Sequence, residues 1–326
     1  MSAMSPSDRP APPPDAGELP PRPGGRWRTP LRLVVAVVFV GFLATVLAGQ
    51  WRQAGPLLGR LSILTLLAAF GLVLAGIWAT FCSWRAALDD LGVTPPLTGA
   101  LRIFYLGQLG KYLPGSIWPV VTQMRLGRDY QAPPRTSGAA FVVFMLMLVG
   151  TGLLVGVPVI PLLGRDAVDQ YRWLVLVLPL LVLVVAPPVL NRVLALVLRL
   201  AKRPPLPAPL SLGGSLRVAG WLLLAWACYG LHAYLLARQL GAAGGALLWL
   251  QCTGAFAVAW CAGVLLVIAP AGVGAREAAL VLLLGTTVTA PRAAVLAVVS
   301  RLLLVVGDLV WAALAVGARR LPGSHR

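Results

Sequence analysis

The sequence predicts an all-α integral membrane protein with about eight transmembrane helices, a re-entrant hairpin, and Gly/Pro-broken helices in both halves. Three observations carry that prediction. Hydrophobic residues make up 59% of the 326, and mean hydropathy is +0.85. Several charge-free runs reach the ~20 residues a helix needs to cross a hydrocarbon core of ~30 Å. The charges that do fall among apolar residues arrive together with Gly and Pro, as in Pro270-Ala271-Gly272-Val273-Gly274-Ala275-Arg276-Glu277. No stretch resembles a soluble domain, so one polytopic membrane domain is expected over 31–318.

The chain opens with a polar, Pro-rich tail over 1–30 (Pro10, Pro12, Pro13, Pro14, Pro20, Pro21, Pro23) that is expected to be disordered. It has no cleavable signal peptide by pattern. Apolar runs then predict spans near 33–51, 61–84, 137–161, 173–190, 218–238, 247–268, 274–290 and 292–316. Basic residues orient them. Arg22, Arg26, Arg28 and Arg32 precede the first span. Arg192, Arg199, Lys202, Arg203 and Arg217 fill the 191–217 connection, and Arg319, Arg320 and Arg326 close the chain. With eight spans all three groups share one side, which places the 1–30 tail, that connection and the short basic 319–326 tail in the cytoplasm of a plasma-membrane protein.

The segment 97–123 breaks the scheme. It is apolar, yet it carries Arg102 and Lys111 with Gly107, Gly110, Pro114, Gly115 and Pro119. Basic flanks on both sides predict that it enters and returns. In the second half, 239–275 is uncharged, Arg276 and Glu277 come together, and 278–291 is again uncharged. A 14-residue run covers only about 21 Å as a helix, so 274–290 either spans with charge inside the membrane or re-enters. Two interrupted segments, one per half, are the sequence pointer to a site built from broken helices.

The net charge of +17 lies at span ends and tails, which fits anionic lipid head groups and not nucleic acid. Cys82, Cys228, Cys252 and Cys261 lack metal spacing and read as small core residues. His232, between Tyr229 and Tyr234, reads as a hydrogen-bonded structural histidine. Trp51, Trp84, Trp173, Trp249 and Trp311 read as interfacial anchors. Gly241 and Gly245 read as a turn. Gly110-Lys111 is not a phosphate loop, because Tyr112 follows and no strand precedes. Its Lys111 offers an ammonium beside helix-breaking residues, where the bland alternative is a lysine snorkelling to the interface. For Arg276 and Glu277 the bland alternative is a structural pair in a kinked helix. Arg301 and Asp308, seven residues apart, share a face but cannot pair directly; Arg301 can complete a charge cluster with Arg276 and Glu277. No acidic pair, metal cluster or nucleophile elbow supports catalysis, and no cofactor is implied.

In these motifs the chain resembles the lysylphosphatidylglycerol synthase transmembrane-region family. The resemblance rests on Gly110-Lys111-Tyr112-Leu113-Pro114-Gly115, on Pro270 to Glu277, and on Arg301 in the last span. It covers roughly 30–316. Fused members carry an aminoacyl-transferase domain after the membrane part; this chain ends at Arg326, so the resemblance implies lipid translocation without synthase chemistry. The substrate would be a phosphate-bearing lipid, a phospholipid or a polyprenyl-phosphate-linked lipid. The implied binding residues are Lys111, Arg276, Glu277 and Arg301, with Gly110, Pro114, Gly115, Pro270, Gly272 and Gly274 shaping the broken helices. Glu277 would hold Arg276 or couple to a proton. The alternative is a non-transporting partner or scaffold of a membrane glycosyltransferase or lipid synthase, and a homo-oligomer is compatible with either.

Overall fold

The computed structural model describes residues 59, 61–112, 117–130, 132–163, 176–200, 202–206, 209–265, 272 and 274–318. The 1–30 tail, the expected span at 33–51, the 319–326 tail, Trp51, Trp173, Pro114, Gly115 and Pro270 lie outside them. The described residues form ten α-helices and two 3-10 segments, with no strand among them. In chain order the helices are α1 (Ile63–Asp90), α2 (Leu97–Gln108), α3 (Trp118–Arg128), α4 (Pro134–Gly156), α5 (Leu178–Val185), α6 (Pro187–Leu200), α7 (Leu212–Gln239), α8 (Ala246–Leu265), α9 (Ala275–Val288) and α10 (Ala290–Gly317).

Five helical segments are long and apolar enough to cross a membrane: α1, α4 with its 3-10 extension to Ile160, α7, α8 and α10. They match the expected spans at 61–84, 137–161, 218–238, 247–268 and 292–316. The expected span at 173–190 is different. Its described part is two helices broken at Ala186, whose ψ of 139° is extended. Pro187 and Pro188 are the cause, since a residue before proline is pushed out of the helical region. The second piece, α6, runs on to Leu200, so the expected 191–217 loop is helical over its first part. Leu190, Leu194 and Leu198 recur every fourth position and are buried, while Arg192 and Arg199 on the other face are exposed.

The frame is an antiparallel α1/α7 pair. At one end, Ser211 caps α7 by accepting from the Gly214 N–H at 2.9 Å. Its own N–H and O–H donate to Asp90 at 2.7 and 2.6 Å, so the last residue of α1 pins the first turn of α7. At the other end, Gln239 donates to Thr65 at 2.9 Å. Between them Thr80 and Tyr229 share a hydroxyl contact at 3.2 Å. We call these the Asp90 end and the Gln239 end. Arg85, Arg125, Arg128, Arg135 and Arg217 cluster near helix termini at the Asp90 end.

Two hairpins enter this frame from opposite ends. The first is α2/α3, open at the Asp90 end. Its register is antiparallel: Gly99 lies against Tyr130, Gly107 against Gln123, and Gly110 against the backbone of Trp118 and Pro119. Helices of 12 and 11 residues reach about 18 and 16 Å, well short of ~30 Å. The chain therefore enters and turns back, as expected for 97–123. The second hairpin is α8/α9, open at the Gln239 end, where Gly241 (φ 93°) and Gly245 (φ 134°) make the turn from α7 into α8. At its tip Gly272, with φ 66°, packs backbone to backbone on Gly263; a Cβ there would stand 2.5 Å from the Gly263 Cα.

Two of the tryptophans expected at the membrane interface pack in or against the core instead. Trp84 is fully buried and packs on Phe104 at 5.4 Å. Trp311 stacks on Tyr105 at 5.1 Å and 9° and on Trp78 at 5.1 Å. The reason is the first hairpin, which covers the ends of α1 and α10 at that level. His232 is fully buried, and its Nε2 lies 2.9 Å from the Ser300 hydroxyl, so it is a structural bridge from α7 to α10. Cys252 and Cys261 are buried and Cys82 and Cys228 half-buried, all unbridged.

Candidate functional site

Helix α10 runs from the Gln239 end, where Arg292 lies beside Gly241, to the Asp90 end, and both hairpin tips meet it. Lys111, in the 3-10 turn after α2, reaches Asp308 at 2.6 Å. The Tyr112 hydroxyl donates to the same Asp308 oxygen at 2.6 Å. Glu277, in the first turn of α9, pairs with Arg301 at 3.4 Å. Arg301 and Asp308 are seven residues apart, about 10 Å along the helix. One strut thus carries a cation for one tip and a carboxylate for the other.

The second tip is built by glycine. Gly274 takes φ 87° and precedes the first residue of α9. Its N–H donates to Glu277 Oε2 at 2.6 Å. The carboxylate at the third helical position thus reaches back to an orphan donor and lies at the positive end of the helix dipole. Glu277 is therefore held from two sides, by the Gly274 amide and by Arg301.

Arg276 points elsewhere. Neighbouring residues on a helix diverge by about 100°, so Glu277 faces Arg301 while Arg276 lies over the Phe256 ring, 4.5 Å from its centroid. The expectation that Glu277 would hold Arg276 is corrected on this point: the ion pair that forms is with Arg301. Arg276 is 8% exposed, and one of its terminal nitrogens has no hydrogen-bond partner among the described residues. Residues 266–273 before it and 113–116 after Tyr112 include no acidic residue in the sequence.

These groups surround one cavity. Lys111, Tyr112, Arg276, Arg301 and Asp308 line it together with the aromatic residues Trp226, Tyr229, Trp260 and Phe104. Its volume of about 80 Å³ has room for several waters or a compact polar head group, at ~10–15 Å³ per water, and not for an acyl chain.

Of the residues singled out in the sequence, Lys111, Arg276, Glu277 and Arg301 converge here, with Gly110, Gly272 and Gly274 shaping the two tips. Asp308, Tyr112 and the aromatic wall were not singled out as site residues. Asp308 carried a usable signal, being the only carboxylate in the last apolar run; an ionisable residue inside a span is a site candidate by default. The aromatic wall carried none, since Trp226 and Trp260 look like any core residue. Among the described residues no group of three His, Cys, Asp or Glu side chains is placed to hold a metal.

Fold and site together define a polytopic α-helical membrane protein with two opposed broken hairpins meeting at an intramembrane charge cluster. Within that class its family is shown by sequence. The chain belongs to the family described as the lysylphosphatidylglycerol synthase TM region, whose model matches residues 31–312. No curated protein matches it.

Proposed function

We propose that this protein is a lipid translocase that carries the head group of a phosphate-bearing lipid through the cavity between the two hairpin tips. The observation that supports this best is Arg276. A buried guanidinium without a carboxylate partner among the described residues is costly unless something occupies it, and it faces a cavity of head-group size. Phosphate is the anion whose geometry and charge suit a guanidinium and an ammonium together. Acyl chains would stay in the bilayer while the head group passes. The opposed hairpins suit this task, because the cavity lies where a tip from each end meets α10. By the positive-inside rule the basic Asp90 end faces the cytoplasm of the plasma membrane.

The test is reconstitution. Purified protein in vesicles with a fluorescent phosphatidylglycerol should speed exchange between leaflets, and Arg276→Gln should abolish the gain while thermal stability is unchanged. Undiminished translocation by both Arg276→Gln and Lys111→Gln would refute the head-group role of these cations. Normal translocation paired with reduced protein level in Arg276→Gln would favour a scaffold.

A further inference from the structure

Among the described residues, three cations and two carboxylates meet at the hairpin tips. Lys111, Arg276 and Arg301 line the cavity with Asp308, and Glu277 is paired to Arg301. Their sum is +3 − 2 = +1. Lys111 is answered by Asp308 at 2.6 Å and Arg301 by Glu277 at 3.4 Å, which leaves the charge of Arg276 as the surplus. We infer that Asp308 sets the charge of the head group the cavity accepts: a phosphodiester bearing one negative charge, in preference to a phosphomonoester bearing two. The inference rests on the translocase reading above and adds a substrate class and a specificity-determining residue to it.

The argument is electrostatic. A site with a surplus of +1 is neutralised by a monoanion. A dianion would leave one uncompensated negative charge beside Asp308 and Glu277, in a site whose carboxylates are already 8% and 18% exposed. Like charges at such separations and such burial repel strongly. Asp308 is the residue that makes the difference. Without its carboxylate, Lys111 would add its charge to that of Arg276 and the surplus would become +2, the complement of a phosphomonoester. Position supports the same role. Asp308 lies on the helix both tips touch, and it receives Lys111 and Tyr112 on a single oxygen, Oδ2. A head group entering the cavity therefore meets an ammonium whose charge Asp308 already answers and a guanidinium that no described carboxylate pairs.

The experiment compares two lipids that differ by one methyl group and one charge, with the same labelled acyl chains. Phosphatidylmethanol is a phosphodiester monoanion. Phosphatidic acid is a phosphomonoester that is largely dianionic at about pH 8, since such esters lose their second proton near pH 6. Leaflet exchange is measured for both in vesicles holding the full chain. The parent should move phosphatidylmethanol faster, by a factor between about tenfold and a hundredfold. The upper bound arises because phosphatidic acid can enter by taking up a proton, two units above its pKa. Asp308→Asn keeps an acceptor for Tyr112 and should narrow or reverse that ratio. Equal rates for the two lipids in the parent would overturn the charge rule and leave translocation standing. So would an Asp308→Asn protein that loses both rates by the same factor, the mark of a purely structural tie. Movement of neither lipid by the parent would remove both readings. If Asp308→Asn does not fold, the parent's ratio alone decides.

Discussion

Glu277→Gln isolates the tie between the second hairpin and α10. The glutamate does two things: it accepts from the Gly274 N–H at 2.6 Å and pairs with Arg301 at 3.4 Å. Glutamine keeps a carbonyl oxygen for the amide but loses the charge that answers Arg301, whose side chain is 7% exposed. Removing one partner of a buried pair costs about 3–5 kcal/mol. Glu277 keeps 18% of its side-chain exposure, so the lower end applies, about 3 kcal/mol. Glu277→Ala should add the loss of the cap, about 0.5–2 kcal/mol. Arg301→Gln should be milder, because the stranded carboxylate can take up a proton whereas a stranded guanidinium cannot release one. Thermal unfolding in detergent reads the order. If soluble-domain scaling of about 2–4 °C per kcal/mol carries over, Glu277→Gln lowers Tm by about 6–12 °C. The double variant Glu277→Gln/Arg301→Gln should lose less than the sum of the two, by about 0.5–3 kcal/mol. A Glu277→Gln protein with the parent's Tm, or strict additivity in the double variant, would refute the claim that this pair holds the tip.

Much of the architecture was legible because membranes make composition informative. The five long helices stand where apolar runs place them, and the hairpin at 97–123 followed from basic flanks on both sides of an apolar, glycine-bearing stretch. The break at Ala186 was also visible as Pro187-Pro188, yet the run 173–190 still looks continuous by hydropathy, since proline is tolerated in apolar segments. Pairing was the part that stayed hidden. Arg276 and Glu277 are neighbours in sequence, and adjacency suggested a pair; the helix turns them about 100° apart and gives Glu277 to Arg301 instead. Lys111 and Asp308 lie 197 residues apart in the numbering, and nothing local links them. Their meeting depends on how deeply the first hairpin penetrates, and that is set by the close approach of Gly107 and Gly110 to α3, a packing fact. Trp84 and Trp311 were misplaced for the same reason. Tryptophan at a span's end marks the interface only where lipid, and not another helix, lies beside it.

Three further outcomes follow from the geometry. Pro204 is exposed in the link between α6 and α7, so a Pro204→Cys variant without the native cysteines should resist an impermeant thiol reagent in intact cells and label after permeabilisation. External labelling would invert the orientation. Ser300→Ala removes the partner of the fully buried His232 and should lower stability by about 1–3 kcal/mol, read by thermal unfolding, with translocation per folded molecule retained; a loss of translocation at unchanged stability would make His232 part of the transport path. The third outcome contrasts two glycines. A Cβ at Gly110 would lie 2.8 Å from the Pro119 nitrogen and the Trp118 carbonyl carbon, which are backbone atoms and cannot rotate aside. Gly110→Ala must therefore push α2 and α3 apart at the tip, at a cost of about 1–3 kcal/mol, and draw Lys111 away from Asp308. At Gly71, on the exposed face of α1, a Cβ meets nothing within 4 Å; there Gly→Ala should be neutral or stabilise by about 0.5–1 kcal/mol through restricted backbone freedom. Translocation should fall in Gly110→Ala and hold in Gly71→Ala. Equal stability and equal translocation in the two variants would mean that the tip does not depend on this close approach, and the placement of Lys111 would need another cause.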